Sequence, residues 1–126
     1  DLAELAETEV ARVLSALGIA EASAGSQTKA RGYFKQALAL APGHPVVLNN
    51  MAMSYILQGK AAEAQVMLRD VARTDAATIG EAKPRVESNL ALASALVTPA
   101  TPPKPAARST QAVGSIAPVN TAATAD

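Results

Sequence analysis

The chain has 126 residues, a formal net charge of zero, and 49% hydrophobic residues with only 2% aromatics. That length suits one modest domain, and an apolar content made of Ala, Leu and Val favours an all-α chain of closely packed helices. The even charge lacks the basic footprint of a nucleic-acid binder, the lack of cysteine excludes disulfides and thiolate metal sites, and no apolar run approaches the ~18 residues of a membrane span.

The chain does not begin with Met and shows no signal peptide, which points to a processed form or a fragment. The first helix is predicted near 2–24, with Gly25 ending it where a positive φ is wanted. Its acidic start (Asp1, Glu4, Glu7, Glu9) reads as a solvated face. The second helix, near 27–41, spaces Ala30, Phe34, Ala37, Leu38 and Ala41 at helical period. Its cations Lys29, Arg31 and Lys35 also read as a solvated face. Pro42 stops this helix, Gly43 turns the chain, His44 caps the next helix, and Pro45 suits its first turn.

The third helix, near 45–58, carries VVLNNMAMSYILQGK. Its two asparagines are poor helix formers set among apolar residues. Gly59 ends it, and a fourth helix near 61–74 presents Ala64, Met67, Leu68 and Val71 on one face. An irregular loop at 75–83 leads to a last helix, 84–97. From Thr98 the chain holds five prolines and much Ala, Ser and Thr, which predicts an extended or disordered tail over 98–126. Within it, QAVGSIAPV (111–119) could dock in a groove as an extended strand.

Sliding the chain against itself by 34 residues puts like on like: Leu14 on Leu48, Gly18 on Ala52, Gly25 on Gly59, Ala30 on Ala64, and Phe34 on Leu68. At an offset of 39, Pro45, Val47, Asn50 and Ala52 fall on Pro84, Val86, Asn89 and Ala91. Small residues at 18, 30, 52 and 64 let helices approach closely, and Phe34 and Leu68 fill the space they leave. A 34-residue period of paired helices resembles the tetratricopeptide repeat. The resemblance implies a helix-turn-helix solenoid over 1–97, with repeats at about 11–44 and 45–78 and a terminal helix at 84–97.

No catalytic set can be drawn from one His and no Cys. No phosphate-binding glycine loop is present. An enzyme, a cofactor and a nucleic-acid partner are therefore not expected. The tetratricopeptide resemblance instead implies that the first helix of each pair lines a concave groove for a protein partner. Matched positions place Asn50, Asn89, Asn49, Met53, Ile56, Leu92, Ile19 and Arg85 on that surface. Asn50 recurs as Asn89, whereas Asn49 matches Ser15 and Ser88 and is expected on the rim. Only Arg12 and Arg85 supply positive charge there, too few for a groove that clamps an acidic terminus.

The runs PVVLNNMAMSYILQGKAAEAQVMLRDVA and PRVESNLALASAL resemble a narrower family, the TadD-type tetratricopeptide lipoprotein of tight-adherence (Tad/Flp) pilus assembly. The matching residues include Pro45, Leu48, Asn49, Asn50, Ser54, Gly59 and Arg69, then Pro84, Arg85, Asn89 and Leu92. This implies an outer-membrane-associated scaffold that faces the periplasm, with the pilus secretin or another assembly component as partner. No lipid-acceptor cysteine is visible. The alternatives are a generic cytosolic adaptor and a structural subunit held through its tail.

Overall fold

Local chemistry sets the helix boundaries. A computed structural model describes residues 1–97. It contains α1 (Leu2–Ser23), α2 (Gln27–Leu40), α3 (Pro45–Leu57), α4 (Ala61–Ala72), the single-turn α5 (Ala76–Ile79), a 3-10 turn (Gly80–Ala82) and α6 (Lys83–Val97). No strand occurs among the described residues. The expected tail at 98–126, with its QAVGSIAPV segment, lies outside them.

The Asp1 carboxylate accepts from the N–H groups of Ala3 and Glu4, and Glu4 reaches back, which satisfies the first turn of α1. α1 and α3 end alike. Gly25 (φ +89°) and Gly59 (φ +80°) hold the left-handed turn. The Ser26 N–H then donates to the Glu21 carbonyl at 2.8 Å, and the Lys60 N–H to the Tyr55 carbonyl, also at 2.8 Å. The recurrence of this cap one repeat later is the structural form of the sequence period. Between α2 and α3, the His44 N–H closes a turn on the Ala41 carbonyl at 3.2 Å. Pro45 then opens α3.

The expected irregular loop at 75–83 is more ordered than its composition suggests. The Asp75 carboxylate accepts from both the N–H and the hydroxyl of Thr78, at 2.9 and 2.8 Å, and so caps α5. Ile79 and Ala82 turn inward and are buried with Leu68, Val71 and Val86. The extra loop length therefore becomes core.

α1 packs on both α2 and α3, and α3 packs on α4. The next junction differs, because α6 lies mainly along α4 and touches α3 only lightly. The core is built largely from alanine, with Ala11, Ala37, Ala52, Ala64 and Ala93 fully buried. Such a core needs close helix contact, and Gly18 provides one such point. A Cβ placed there would lie 2.8 Å from Phe34 Cε1, and the Phe34 side chain is itself buried at 3% exposure. Ala52 and Leu68 repeat this small-on-large contact, both at 0% exposure.

Gly18→Ala should destabilise the fold. The substitution recovers about 0.5–1 kcal/mol of helix propensity, but overpacking a filled core costs about 1–3 kcal/mol. Phe34 is 3% exposed and meets the added methyl at contact distance, so overpacking is expected to outweigh the gain in propensity. Urea denaturation should show a lower midpoint for Gly18→Ala and substantial recovery when Phe34→Leu is added. A midpoint at or above wild type would show that the ring can move.

Candidate functional site

The first helices of the pairs, α1, α3 and α6, are joined by a repeating polar ladder. The Asn50 side-chain amide donates to Ser15 Oγ across α1 and α3 at 3.0 Å. The Asn89 amide donates to Asn49 Oδ1 across α6 and α3, also at 3.0 Å. In both steps the acceptor is a buried residue, Ser15 at 0% and Asn49 at 4% exposure. In both, the donor sits one position further along the next first helix. Ser15 also donates its own proton to the Arg12 carbonyl at 2.9 Å.

This arrangement revises the reading of α3. Asn49 is not on the rim; it is inside, as the chemical counterpart of Ser15. Asn50 and Asn89 are counterparts of each other, but each has one N–H engaged by a neighbouring helix. Their Oδ1 atoms accept no hydrogen bond among the described residues, and no buried side-chain polar atom there lacks a partner. Those oxygens therefore reach solvent and remain open to a donor.

The expected apolar contacts divide. Ile19 packs against Ala22, Ala30 and Phe34, and Ile56 packs against the cluster around Ala52 and Leu68. Both belong more to the core than to a binding surface. Met53 is half-buried and joins no core cluster. Leu92 is 43% exposed. Arg85 is exposed and forms no ion pair among the described residues. Arg12, on the same surface, is 3.5 Å from Glu9 in an exposed pair of little energetic weight. Of the expected contacts, Met53, Leu92, Arg85 and the outer halves of two amides remain outside the core.

His44 has a structural task. Its Nδ1 accepts from the Val46 N–H at 3.2 Å and caps α3. Burial, then the nearby Arg12 cation, lower its pKa against the opposite pull of Glu9. Only a neutral imidazole has the lone pair this cap uses. No group of three or more His, Asp or Glu side chains among the described residues could hold a metal ion. No helix there is long and apolar enough to cross a membrane.

The matched positions missed a second feature, a cavity of about 470 Å³ between α2, α3 and the start of α4. The cations Arg31 and Lys35, four apart on α2, were a visible signal of it.

Residues 22–83, just under half of the chain, match the tetratricopeptide repeat family. The chain is also similar to the photosystem I assembly protein Ycf3 of Cyanophora paradoxa, at 47% identity over 49 residues. That match covers 39% of this chain and 28% of the relative, so it spans less than a third of that protein's length. No solved structure matches the chain significantly. With its paired helices and 34-residue period, the described chain is an all-α tetratricopeptide solenoid, a fold that serves protein–protein interaction.

Two outcomes test these assignments. Asn89→Ala strands the buried Asn49 oxygen and should cost about 1–3 kcal/mol, whereas Asn50→Ala leaves Ser15 its bond to Arg12 and should cost about 0.5–1.5 kcal/mol. Chemical denaturation of the two variants gives the order, and equal costs would dissolve the ladder's asymmetry. For His44, the lowered folded pKa makes its contribution fully present above the unfolded value of 6.5. That contribution is lost as pH falls below 6.5 and through the folded value. Stability should fall in that window for wild type and less for His44→Asn, whose amide caps without titrating near neutrality.

Proposed function

We propose that this solenoid is an assembly scaffold that holds a protein partner against its first-helix face, in the building of a tight-adherence (Tad/Flp) pilus or a related secretion machine. One observation carries the binding reading. Met53 and Leu92 remain uncommitted to the core beside two amides that keep an open oxygen. Apolar contact supplies burial, and an amide oxygen can accept from the backbone N–H of any extended peptide. Arg85 adds one positive charge at the edge.

The pilus reading is supported by the residue pattern from Pro45 to Arg69 and from Pro84 to Leu92. It places the chain at the outer membrane, facing the periplasm, with the pilus secretin or another assembly component as partner. The likeness to a photosystem I assembly protein supports assembly of a multiprotein complex as the kind of work. A second reading, a general assembly adaptor in the cytoplasm, is equally compatible with that likeness.

A photo-crosslinking side chain at Leu92, introduced in the native host, distinguishes these readings. Adducts with pilus or secretion components are expected. Met53→Asp with Leu92→Asp should reduce recovery of the same components by about tenfold, a loss of about 1.4 kcal/mol, while the melting temperature stays close to wild type. Adducts confined to cytoplasmic complexes would sink the pilus reading. Recovery unaffected by the double substitution would sink the assigned face.

A further inference from the structure

The cavity of about 470 Å³ lies apart from the first-helix face. It exists because α2 touches α3 only sparingly and does not pack along α4. Phe34, Leu38, Met51 and Tyr55 give it an apolar floor. Three cations surround that floor: Arg31 and Lys35 from α2, and Lys60 from the turn before α4. Glu63 is the one acid in the lining.

The polar groups of this cavity fall into two sets. Ser54 Oγ donates to Gln27 Oε1 at 3.4 Å, and Gln58 Nε2 donates to the Ser54 carbonyl at 3.3 Å, so these three are partnered within the chain. The cations are not. Arg31, Lys35 and Lys60 are exposed, and none forms an ion pair among the described residues.

The helix that carries two of them bears a cost for it. α2 contains Lys29, Arg31 and Lys35 and no acidic residue. Two of these cations lie in its N-terminal half, where the helix dipole disfavours positive charge. Arg31 and Lys35 are also an i,i+4 like-charge pair, unfavourable by about 0.2–0.5 kcal/mol. In a chain of zero net charge, this is a local positive excess set around an apolar floor.

We infer that this cleft is a docking site for a short acidic peptide segment of a partner protein. An apolar side chain of that segment rests on Phe34, Met51 and Tyr55, and flanking carboxylates pair with Arg31, Lys35 and Lys60. The volume falls within the range of about 300–1,000 Å³ found for small-ligand sites and accepts one large side chain with its adjoining backbone. Arg31 can engage a carboxylate through two parallel N–H bonds. A nucleic acid would meet the cations but leave the apolar floor unused, and it would find no extended basic stripe to follow. The site is distinct from the first-helix face and stands whether or not that face binds a partner.

The test uses the full chain and fluorescein-labelled seven-residue peptides in fluorescence anisotropy. Each peptide has Leu, Ile, Met or Phe at its centre and aspartates or glutamates on both sides. At least one should bind with a dissociation constant below about 1 mM at about 50 mM salt, and weaken as salt rises to about 500 mM. Control peptides with lysine for each acid should not bind. Arg31→Glu with Lys35→Glu should weaken binding about tenfold or more, and Arg73→Glu, on the far end of α4, should leave it unchanged. All of these side chains are exposed, so the variants should melt near wild type. If the double variant unfolds, Lys60→Glu alone should still weaken binding several-fold. Three results would overturn the proposal. One is no peptide binding below that limit. Another is an affinity insensitive to the charge reversals. The third is an RNA oligonucleotide of equal charge binding as tightly as the best peptide.

Discussion

The Phe34 ring lying on Gly18 sets how close two helices come, and the rest of the solenoid takes its spacing from that contact. The core is mostly alanine, so dispersion contacts accumulate only if the backbones are near. The second repeat solves the same problem with Ala52 and Leu68, trading a smaller large residue for a larger small one. Both pairs fill similar space, so the repeats can stack in register. That register in turn places Asn50 within 3.0 Å of Ser15. A polar bond of this kind tolerates little sliding, whereas an apolar surface tolerates some.

The junction to α6 shows what happens when packing changes and the ladder does not. The loop brings Ile79 and Ala82 into the core and seats α6 along α4, leaving thin contact with α3. The bond between Asn89 and Asn49 nevertheless forms. Asn49 is 4% exposed, and leaving its oxygen unpaired would be expensive. The amide pair therefore ties α6 to α3 where few apolar side chains do so. The candidate binding face depends on this tie as much as on the solenoid itself.

Much of the architecture was legible because its signals are local. Gly25, Gly59, Pro42 and Pro45 mark boundaries that depend on one or two residues of backbone geometry. Burial of Ala30, Phe34, Ala64 and Leu68 follows from helical period. The site was less legible, for three physical reasons. Matching by residue type separated Asn49 from Ser15, although both are buried acceptors in the same slot. Ile19 and Ile56 sit at the edge of the groove-facing stripe, and only the neighbouring helix decides which side they join. The cationic cleft draws on α2, α3 and the turn before α4, and it opens because α2 and α4 stay apart. Sequence period describes how each helix faces its partner but says little about a gap between second helices.

The asparagines of α3 make sense once that helix is seen at the centre. α3 contacts α1, α2, α4 and α6, so it has little surface that can be left polar and unpaired. A helix surrounded in this way is expected to be apolar nearly all round. Three of the polar side chains it carries find a partner on a neighbouring helix: Asn49 with Asn89, Asn50 with Ser15, and Ser54 with Gln27. These bonds run to three different helices, which fixes α3 in rotation as well as in height. Asn50 and Met53 look toward the first-helix face, while Met51 and Tyr55 floor the cleft. One helix therefore lines both candidate surfaces, and its polar side chains hold it in one orientation through bonds to three neighbours.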